Sequence, residues 1–230
     1  MTTTPENSGA DVCVIIPAAG SGTRLGEPVP KAFVDLCGRS IIERCVDNVP
    51  ESLGASIVVV VPADMVGRTR FLLPEVTVVA GGAHRADSVR AGIAAAGAAE
   101  VILVHDAARP LTPASVFTRV VDAVLAGHPA VVPGIPVVDT LKQVTPDDGG
   151  LERVSRTVDR DQLRAVQTPQ GFTRDALLRA HADDSGLATD DAGLAERCGI
   201  DVHIVPGDPL AMKITTPWDL RIVRSIVGRR

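Results

Sequence analysis

Short apolar runs recur along the chain and alternate with longer segments in which apolar positions follow a helical spacing. The runs are rich in Val and Ile, which is typical of buried strands. They predict strands over residues 12–16, 57–61, 76–79, 101–104, 130–132 and 202–205. The segments between them predict helices over residues 40–49, 85–96, 113–126, 174–181, 190–197 and 217–227. This alternation indicates βαβ units, and therefore an α/β fold with a mostly parallel sheet and helices on both faces.

One segment departs from the alternation. Residues 137–145 and 151–158 are two extended stretches on either side of Pro146-Asp147-Asp148-Gly149-Gly150, which predicts a β-hairpin with a polar tip. A two-stranded ribbon is marginal in water on its own. We therefore expect residues 137–160 to form a projecting β-arm that packs on a second subunit, giving a homodimer, or that folds back on its own domain.

Length and composition limit the possibilities further. The 230 residues suit a single α/β domain, residues 1–230, with the polar residues 1–10 as a flexible tail. The net charge is −5 and no basic tract stands out, which argues against a nucleic-acid partner. No run approaches the roughly 18 apolar residues of a membrane span. The cysteines show no C-x-x-C spacing and are interpreted as reduced thiols of a cytoplasmic protein: Cys13, Cys37, Cys45 and Cys198.

A glycine-rich stretch follows the first apolar run directly: Pro17-Ala18-Ala19-Gly20-Ser21-Gly22-Thr23-Arg24. Such a turn lets backbone N–H groups point at an anion, and Arg24 and the later Lys31 add positive charge. The spacing fits neither a P-loop nor the dinucleotide fingerprint. The combination suits a triphosphate, although an ordinary strand-to-loop turn with a surface Arg and Lys would look the same.

Asp106 and Arg109 follow the predicted strand 101–104, at the carboxyl end where open α/β sheets bind ligands. Asp106 could hold a metal–phosphate unit or a substrate hydroxyl, and Arg109 could clamp a phosphate with two hydrogen bonds. The alternative is a structural ion pair between Asp106 and Arg109. We expect the neighbouring His105 to pack or to orient other groups rather than to act as a base.

Weaker signals lie at other predicted strand ends. Gly81 and Gly82 would let the backbone approach a planar ligand, and Ser88 could bond a base edge, unless the segment is a simple helix-entry turn. Arg160 and Lys213 place further cations near strand ends. Such charges are usually solvated, but together they are what a phosphorylated second substrate would need.

Taken in order, these segments resemble the 2-C-methyl-D-erythritol 4-phosphate cytidylyltransferase family. The resemblance runs from about residue 12 to residue 227 and rests on Pro-Ala-Ala-Gly-x-Gly-x-Arg, Gly-Gly-x-x-Arg-x-Asp-Ser, His-Asp-Ala-Ala-Arg-Pro, Asp-Thr, Val-Asp-Arg, Thr-Pro-Gln and Lys-Ile-Thr. It implies a Rossmann-like nucleotidyltransferase fold, Mg²⁺ and a homodimer built through the arm. The implied reaction joins CTP and methylerythritol phosphate into CDP-methylerythritol with release of pyrophosphate, in the non-mevalonate isoprenoid pathway.

The resemblance also implies site residues. The expected catalytic residues are Arg24, Lys31, Arg160 and Lys213, the first two at the α-phosphate. The expected nucleotide contacts are Pro17, Ala18, Ala19, Gly20, Gly22, Gly82, Ser88 and Asp106. The expected contacts to methylerythritol phosphate are Ala107, Arg109, Thr140, Arg160, Thr168 and Lys213, with Thr140 and Arg160 reaching in from the partner's arm. Asp106 is the expected contact to Mg²⁺, which the CTP phosphates would mainly hold.

One position departs from the family pattern, and other functions remain open. Ala83 stands where the family often has an acidic residue, so base selection would rest on backbone groups and Ser88. Ribitol 5-phosphate cytidylyltransferases share the CTP half and would differ in the polyol pocket, and nucleotide-sugar pyrophosphorylases usually have longer chains. A catalytically silent nucleotide-binding regulator is the alternative from another class. It need not retain Arg24, Lys31, Asp106 and Lys213 together.

Overall fold

A computed structural model describes residues 11–20, 25–182 and 190–229 of the chain. The strands are β1 Val12–Pro17, β2 Ser56–Val61, β3 Thr77–Ala80, β4 Val101–Val104, β5 Ala130–Pro136, β6 Lys142–Pro146, β7 Glu152–Thr157, β8 Arg164–Val166, β9 Gln170–Thr173 and β10 Val202–Pro206. The helices are α1 Ile41–Asp47, α2 Val66–Leu72, α3 Arg85–Ala95, α4 Ala114–Leu125, α5 Arg174–Ala182, α6 Asp191–Arg197 and α7 Pro217–Val227. All the predicted strands and helices are present, whereas α2, β8 and β9 were not predicted. The proposed tail, residues 1–10, lies outside the described residues.

Within the described ranges, eight strands form one sheet in the order β10-β5-β9-β4-β1-β2-β3, with β8 paired to β5. The pairs of β1 with β2 and β4, of β2 with β3, and of β5 with β10 are parallel. The late strand β9 inserts antiparallel between β4 and β5, and β8 also runs antiparallel on β5. The sheet is therefore mostly parallel, as predicted, but its middle is filled by an antiparallel strand.

Both faces of the sheet are covered by helices. Along β1, Val12, Val14 and Ile16 belong to one buried cluster, whereas Cys13 and Ile15 belong to another on the opposite face. This strand is apolar throughout because it is buried on both sides. Cys13 packs there as a small apolar residue. Helices α1, α2 and α4 contribute to the first cluster, and α3, α5 and α6 to the second.

Helix α7 packs on a third cluster beside the sheet, which includes Leu36, Ile41 and Ile214. A capping box starts the helix: the Asp219 N–H donates to the Thr216 hydroxyl, and the Asp219 carboxylate accepts from the Thr216 N–H at 2.8 Å. The segment that precedes this cap carries Lys213. The cap and the buried Ile214 together fix the backbone from which the Lys213 side chain extends.

The predicted hairpin is present as a separate two-stranded sheet of β6 and β7, paired antiparallel from Lys142 and Thr157 to Pro146 and Glu152. Its apolar side chains remain largely open to solvent: Val138 is 79% exposed, Leu151 is 72% exposed and Val154 is 53% exposed. The arm therefore does not bury its apolar residues by folding back on the rest of the described chain. None of the helices within the described ranges is long and apolar enough to span a membrane.

Candidate active site

A cavity of about 400 Å³ opens at the carboxyl ends of β1, β3 and β4. This is the edge of the sheet at which the sequence predicts ligand binding. The loops after β1, β3 and β4 and three other parts of the chain build its wall, which consists of Pro17, Ala18, Ala19, Gly20, Lys31, Ala32, Ile41, Gly82, Ala83, His84, Arg85, Ser88, Asp106, Ala107, Ala108 and Lys213. Ten of the residues predicted from sequence are among them: Pro17, Ala18, Ala19, Gly20, Lys31, Gly82, Ser88, Asp106, Ala107 and Lys213.

Two of the wall loops are tied to the end of β2. The Ala18 N–H donates to the Val60 carbonyl at 2.7 Å, and the Gly81 N–H donates to the Val61 carbonyl at 2.8 Å. A Cβ on Gly81 would lie 2.6 Å from the Ser88 Oγ, so the glycine is needed for close packing of the loop on α3. Ser88 lines the cavity but is buried, and its hydroxyl donates to the His84 carbonyl at 3.3 Å.

Asp106 is the electrostatic centre of the cavity. Its carboxylate lies 2.8 Å from the Lys213 ammonium and 3.7 Å from the guanidinium groups of both Arg85 and Arg109. Burial alone would raise the pKa of Asp106, but the nearby cations, Lys213 first, outweigh it and hold the pKa at about 2. The carboxylate is therefore ionised at neutral pH, and it offsets repulsion among the three cations.

Lys31 reaches the same wall as Lys213. Its ammonium donates to the Ile214 carbonyl at 3.1 Å, one residue after Lys213. The fold thus brings together two cations that are far apart in the sequence. Arg24 and Gly22, the other charged and glycine positions predicted for the phosphate loop, lie outside the described residues.

Arg109 and Thr168 support the cavity from behind its wall. The Arg109 guanidinium donates to the Ala211 carbonyl at 2.6 Å and forms the Asp106 ion pair that was the structural alternative. The Thr168 hydroxyl accepts from the Asp106 N–H at 3.0 Å and lies 3.0 Å from the His105 Nδ1. Neither residue lines the cavity, and their predicted contacts to substrate stay predictions.

His105 is enclosed by the protein and does not line the cavity. It is fully buried against the Phe117 ring, with 4.9 Å between ring centroids. Burial lowers the pKa of His105 to about 4, so the imidazole is neutral at pH 7. This agrees with the expected packing role.

Thr140 and Arg160 lie on or beside the exposed arm, and neither lines the cavity of its own chain. The Arg160 guanidinium donates to the Val138 carbonyl, which ties the base of the arm to the segment that enters it. Their predicted roles require the partner's cavity, and they remain predictions.

Arg85 is a wall residue that the site prediction missed. It is the first residue of α3, and its guanidinium lies 2.7 Å from the Asp191 carboxylate at the start of α6. The motif Gly-Gly-x-x-Arg contains Arg85, but no local signal connects it with Asp191. Burial opposes the charged form of Arg85, but the Asp191 carboxylate outweighs it and raises the pKa of the guanidinium.

The residues of the cavity suit a metal ion delivered with a phosphate ligand. Asp106 is the acidic residue among the described wall residues, and the described ranges contain no group of three or more His, Cys, Asp and Glu side chains able to hold a metal. Mg²⁺ commonly binds through one or two carboxylates together with substrate phosphates. Asp106 fits that arrangement, whereas a site made of protein ligands alone does not.

A mostly parallel sheet with helices on both faces and a cation-lined cavity at the carboxyl ends of its strands fits the class of Rossmann-like nucleotidyltransferases. The family model described as 2-C-methyl-D-erythritol 4-phosphate cytidylyltransferase matches residues 12–229. The chain belongs to this family.

The chain is similar to individual members of the family over nearly their whole length. The chain is 54% identical to the 2-C-methyl-D-erythritol 4-phosphate cytidylyltransferase of Rhodococcus jostii, over 94% of this chain and 95% of the relative. It is 53% identical to the Nocardia farcinica protein of the same name, over 98% and 97% of the two chains. The crystal structure of the Thermus thermophilus cytidylyltransferase matches with a TM-score of 0.76 and 34% identity, covering 95% of this chain and 99% of that one.

Proposed function

We propose that the chain transfers CMP from CTP to 2-C-methyl-D-erythritol 4-phosphate, giving 4-diphosphocytidyl-2-C-methyl-D-erythritol and pyrophosphate in the non-mevalonate isoprenoid pathway. The observation that carries the proposal is the charge of the cavity. Among its described wall residues, Lys31, Arg85 and Lys213 are cationic, and Asp106 is the one carboxylate. This excess of positive charge suits two phosphorylated substrates that must meet.

The residues that line the cavity suit the chemistry of such a transfer. The attacking group is a phosphate oxygen, which is already ionised at neutral pH, so no general base is needed. The protein has to align two polyanions and stabilise the charge that develops around the α-phosphate. Fixed cations do this, and the neutral, buried His105 has no part in it.

We assign the nucleotide to the loops after β1 and β3, with the base near Gly82 and Ser88 and the phosphates near residues 17–20. Lys31, with Arg24, stabilises the α-phosphate. Lys213 and Asp106 face the methylerythritol phosphate, assisted by residues 107–109 and Thr168. Mg²⁺, when bound, supplies charge neutralisation at the triphosphate, with Asp106 as its protein contact.

Pyrophosphate release tests the assignment. The purified protein with CTP, Mg²⁺ and methylerythritol phosphate is compared with the same mixture containing ribitol 5-phosphate, and with UTP or ATP in place of CTP. We expect release with CTP and methylerythritol phosphate. Release with ribitol 5-phosphate alone would overturn the polyol assignment, and release with neither would indicate a nucleotide-binding protein without this activity.

We also propose a homodimer built through the β-arm, with Arg160 and Thr140 completing the partner's site. Supporting this, the exposed Val138, Leu151 and Val154 have no cover within the described chain. A twofold contact would bury them. Mixing an Arg160→Ala protein with a Lys31→Ala protein tests the arrangement after subunit exchange. If Arg160 acts in trans, half of the sites in a mixed dimer carry neither defect and activity recovers. Proven exchange without recovery would contradict the shared site.

We further propose that residues 1–230 act as one nucleotidyltransferase domain in the cytoplasm. The four cysteines are free thiols, and Cys13 and Cys45 are buried. Fractionation of cells that produce the tagged chain checks the compartment. Recovery with the membrane or secreted fraction would contradict it.

A further inference from the structure

The guanidinium of Arg85 is held from behind by a buried carboxylate. Its Nη2 lies 2.7 Å from the Asp191 Oδ2 on one side and 3.7 Å from the Asp106 Oδ1 on the other. The Arg85 side chain is 35% exposed and faces the cavity, whereas that of Asp191 is 0% exposed. The contact therefore joins a wall residue of the cavity to a charge that no ligand can reach directly.

Asp191 itself is fixed on its other side. Its second oxygen, Oδ1, lies 3.0 Å from the Nε2 of His181, which is also buried. The amide of Gln170 clamps the start of α6, since its oxygen accepts from the Ala192 N–H at 3.1 Å and its nitrogen donates to Asp190 at 2.7 Å. The carboxylate thus has one orientation, set by strand β9 and helix α5.

Stability alone is a weak reason for this arrangement. Removing a carboxylate from water costs several kcal/mol, and a buried ion pair often stabilises no more than apolar residues of the same volume. A long Arg side chain, however, loses much of its rotamer freedom when both of its neighbours are fixed. Asp191 holds the guanidinium in place before any ligand arrives.

We propose that Asp191, supported by His181, is a positioning residue of the active site, which holds the Arg85 guanidinium against the cavity so that it contacts the phosphates of the bound substrates. This inference rests on the proposed cytidylyl transfer, but it concerns residues to which neither the resemblance nor the family assignment gave a role. The competing explanation is that Arg85 and Asp191 only tie α3 to α6.

The two explanations differ in how the substitutions combine. If Asp191 acts through Arg85, then Asp191→Asn and Arg85→Ala each lower kcat/KM about tenfold or more, because small displacements of a positioning group are costly. The double variant is then no worse than Arg85→Ala alone. If the pair is only structural, the single variants unfold more easily but the folded protein keeps its kcat/KM.

Glu196→Gln is the matched control. It removes one negative charge from the same helix, α6, at an exposed position outside the contacts that hold Asp191 and Arg85. We expect its kcat/KM to stay within about twofold of the unsubstituted protein. Urea unfolding of every variant separates loss of folded protein from loss of positioning.

Two substitutions of His181 test the same inference if the Asp191→Asn protein does not fold. His181→Phe fills the same space but leaves Asp191 bonded to Arg85 alone, and His181→Gln restores a donor near the Nε2 position. We expect His181→Phe to lower kcat/KM in the presence of Arg85 but not in the Arg85→Ala background, and His181→Gln to recover part of the loss.

Calorimetric binding of CTP with Mg²⁺ keeps this test separate from the proposed reaction. If the unsubstituted protein released no pyrophosphate with either polyol phosphate, the proposed function would fail and the same cycle would be measured on CTP affinity. Unchanged kcat/KM and CTP affinity in Arg85→Ala would overturn the inference. So would losses that multiply in the double variant, since Asp191 would then act independently of Arg85.

Discussion

Replacing Asp106 with asparagine removes the carboxylate that faces Lys213, Arg85 and Arg109 while changing the volume of the side chain very little. The three cations would then lie close together in a partly buried space without the negative charge that offsets their repulsion. We expect Asp106→Asn to lower the free energy of unfolding as well as the activity, because this anion both orders the cations and offsets their repulsion.

The size of the effect follows from the pKa. The folded protein holds the pKa of Asp106 at about 2, against an ordinary value of 3.8, despite the opposing effect of burial. At about 1.4 kcal/mol per pKa unit, the carboxylate contributes about 2 kcal/mol of stability. Because the folded pKa is lowered, this contribution is complete above about pH 4 and is lost as the pH falls towards 2.

Urea unfolding at pH 7 measures this difference directly, and thermal unfolding should show a melting temperature lower by about 4–8 °C. Asp147→Asn is a suitable control, since that carboxylate pairs with Arg153 on the exposed arm and should contribute little. An Asp106→Asn protein as stable as the unsubstituted one at pH 7 would refute the reasoning. The cations would then be tolerated together without Asp106.

Three further results are expected. Lys31→Ala should lower kcat by about 100-fold and raise KM much less, as measured by pyrophosphate release, and a near-normal kcat would show that the charge is peripheral. Burial lowers the pKa of His105 to about 4, so protonation of this residue in the unfolded chain costs no stability above about pH 6.5. Between pH 7 and pH 5 the free energy of unfolding should fall by about 2 kcal/mol from this residue alone. Urea unfolding of His105→Gln at the two pH values should show this loss largely absent. Gly92→Ala should destabilise by about 1–3 kcal/mol in thermal unfolding, because its Cβ would lie 2.4 Å from Ile15, and an unchanged melting temperature would contradict this.

The strands that are buried on both faces could be predicted because burial leaves a continuous apolar run, as in β1 and β4. Strand β9 could not be predicted in this way, because it lacks a continuous apolar run. Its sequence, Gln170-Gly171-Phe172-Thr173, has one large apolar residue and a glycine. Gly171 is there because a Cβ would lie 2.4 Å from Val120 of α4, which is a fact of tertiary packing. Helix α2 buries Thr69 and no large apolar residue, so it too lacks a strong apolar pattern.

Some residues of the site could likewise be predicted from the sequence, and others could not. The loops after β1, β3 and β4 could be assigned to one cavity because parallel strands end at the same edge of a sheet. The contact of Arg85 with Asp191 spans 106 residues and depends on how α6 packs near α3, which no local pattern indicates. Thr168 illustrates the opposite problem. Its motif predicts a substrate contact, but the structure engages its hydroxyl with the Asp106 N–H and His105.

The late insertion of β9 has a consequence for how the chain is made. As the polypeptide leaves the ribosome, β4 and β5 emerge early but are not neighbours, and the strand that joins them follows only after the arm. While the arm is being made, β4 has one bare edge and β5 has no partner at all, because β8, β9 and β10 all follow the arm. Unpaired edges are sites of aberrant pairing. A ribosome that stalls within the arm therefore holds an incomplete sheet, and chaperones would be needed most during that interval of synthesis.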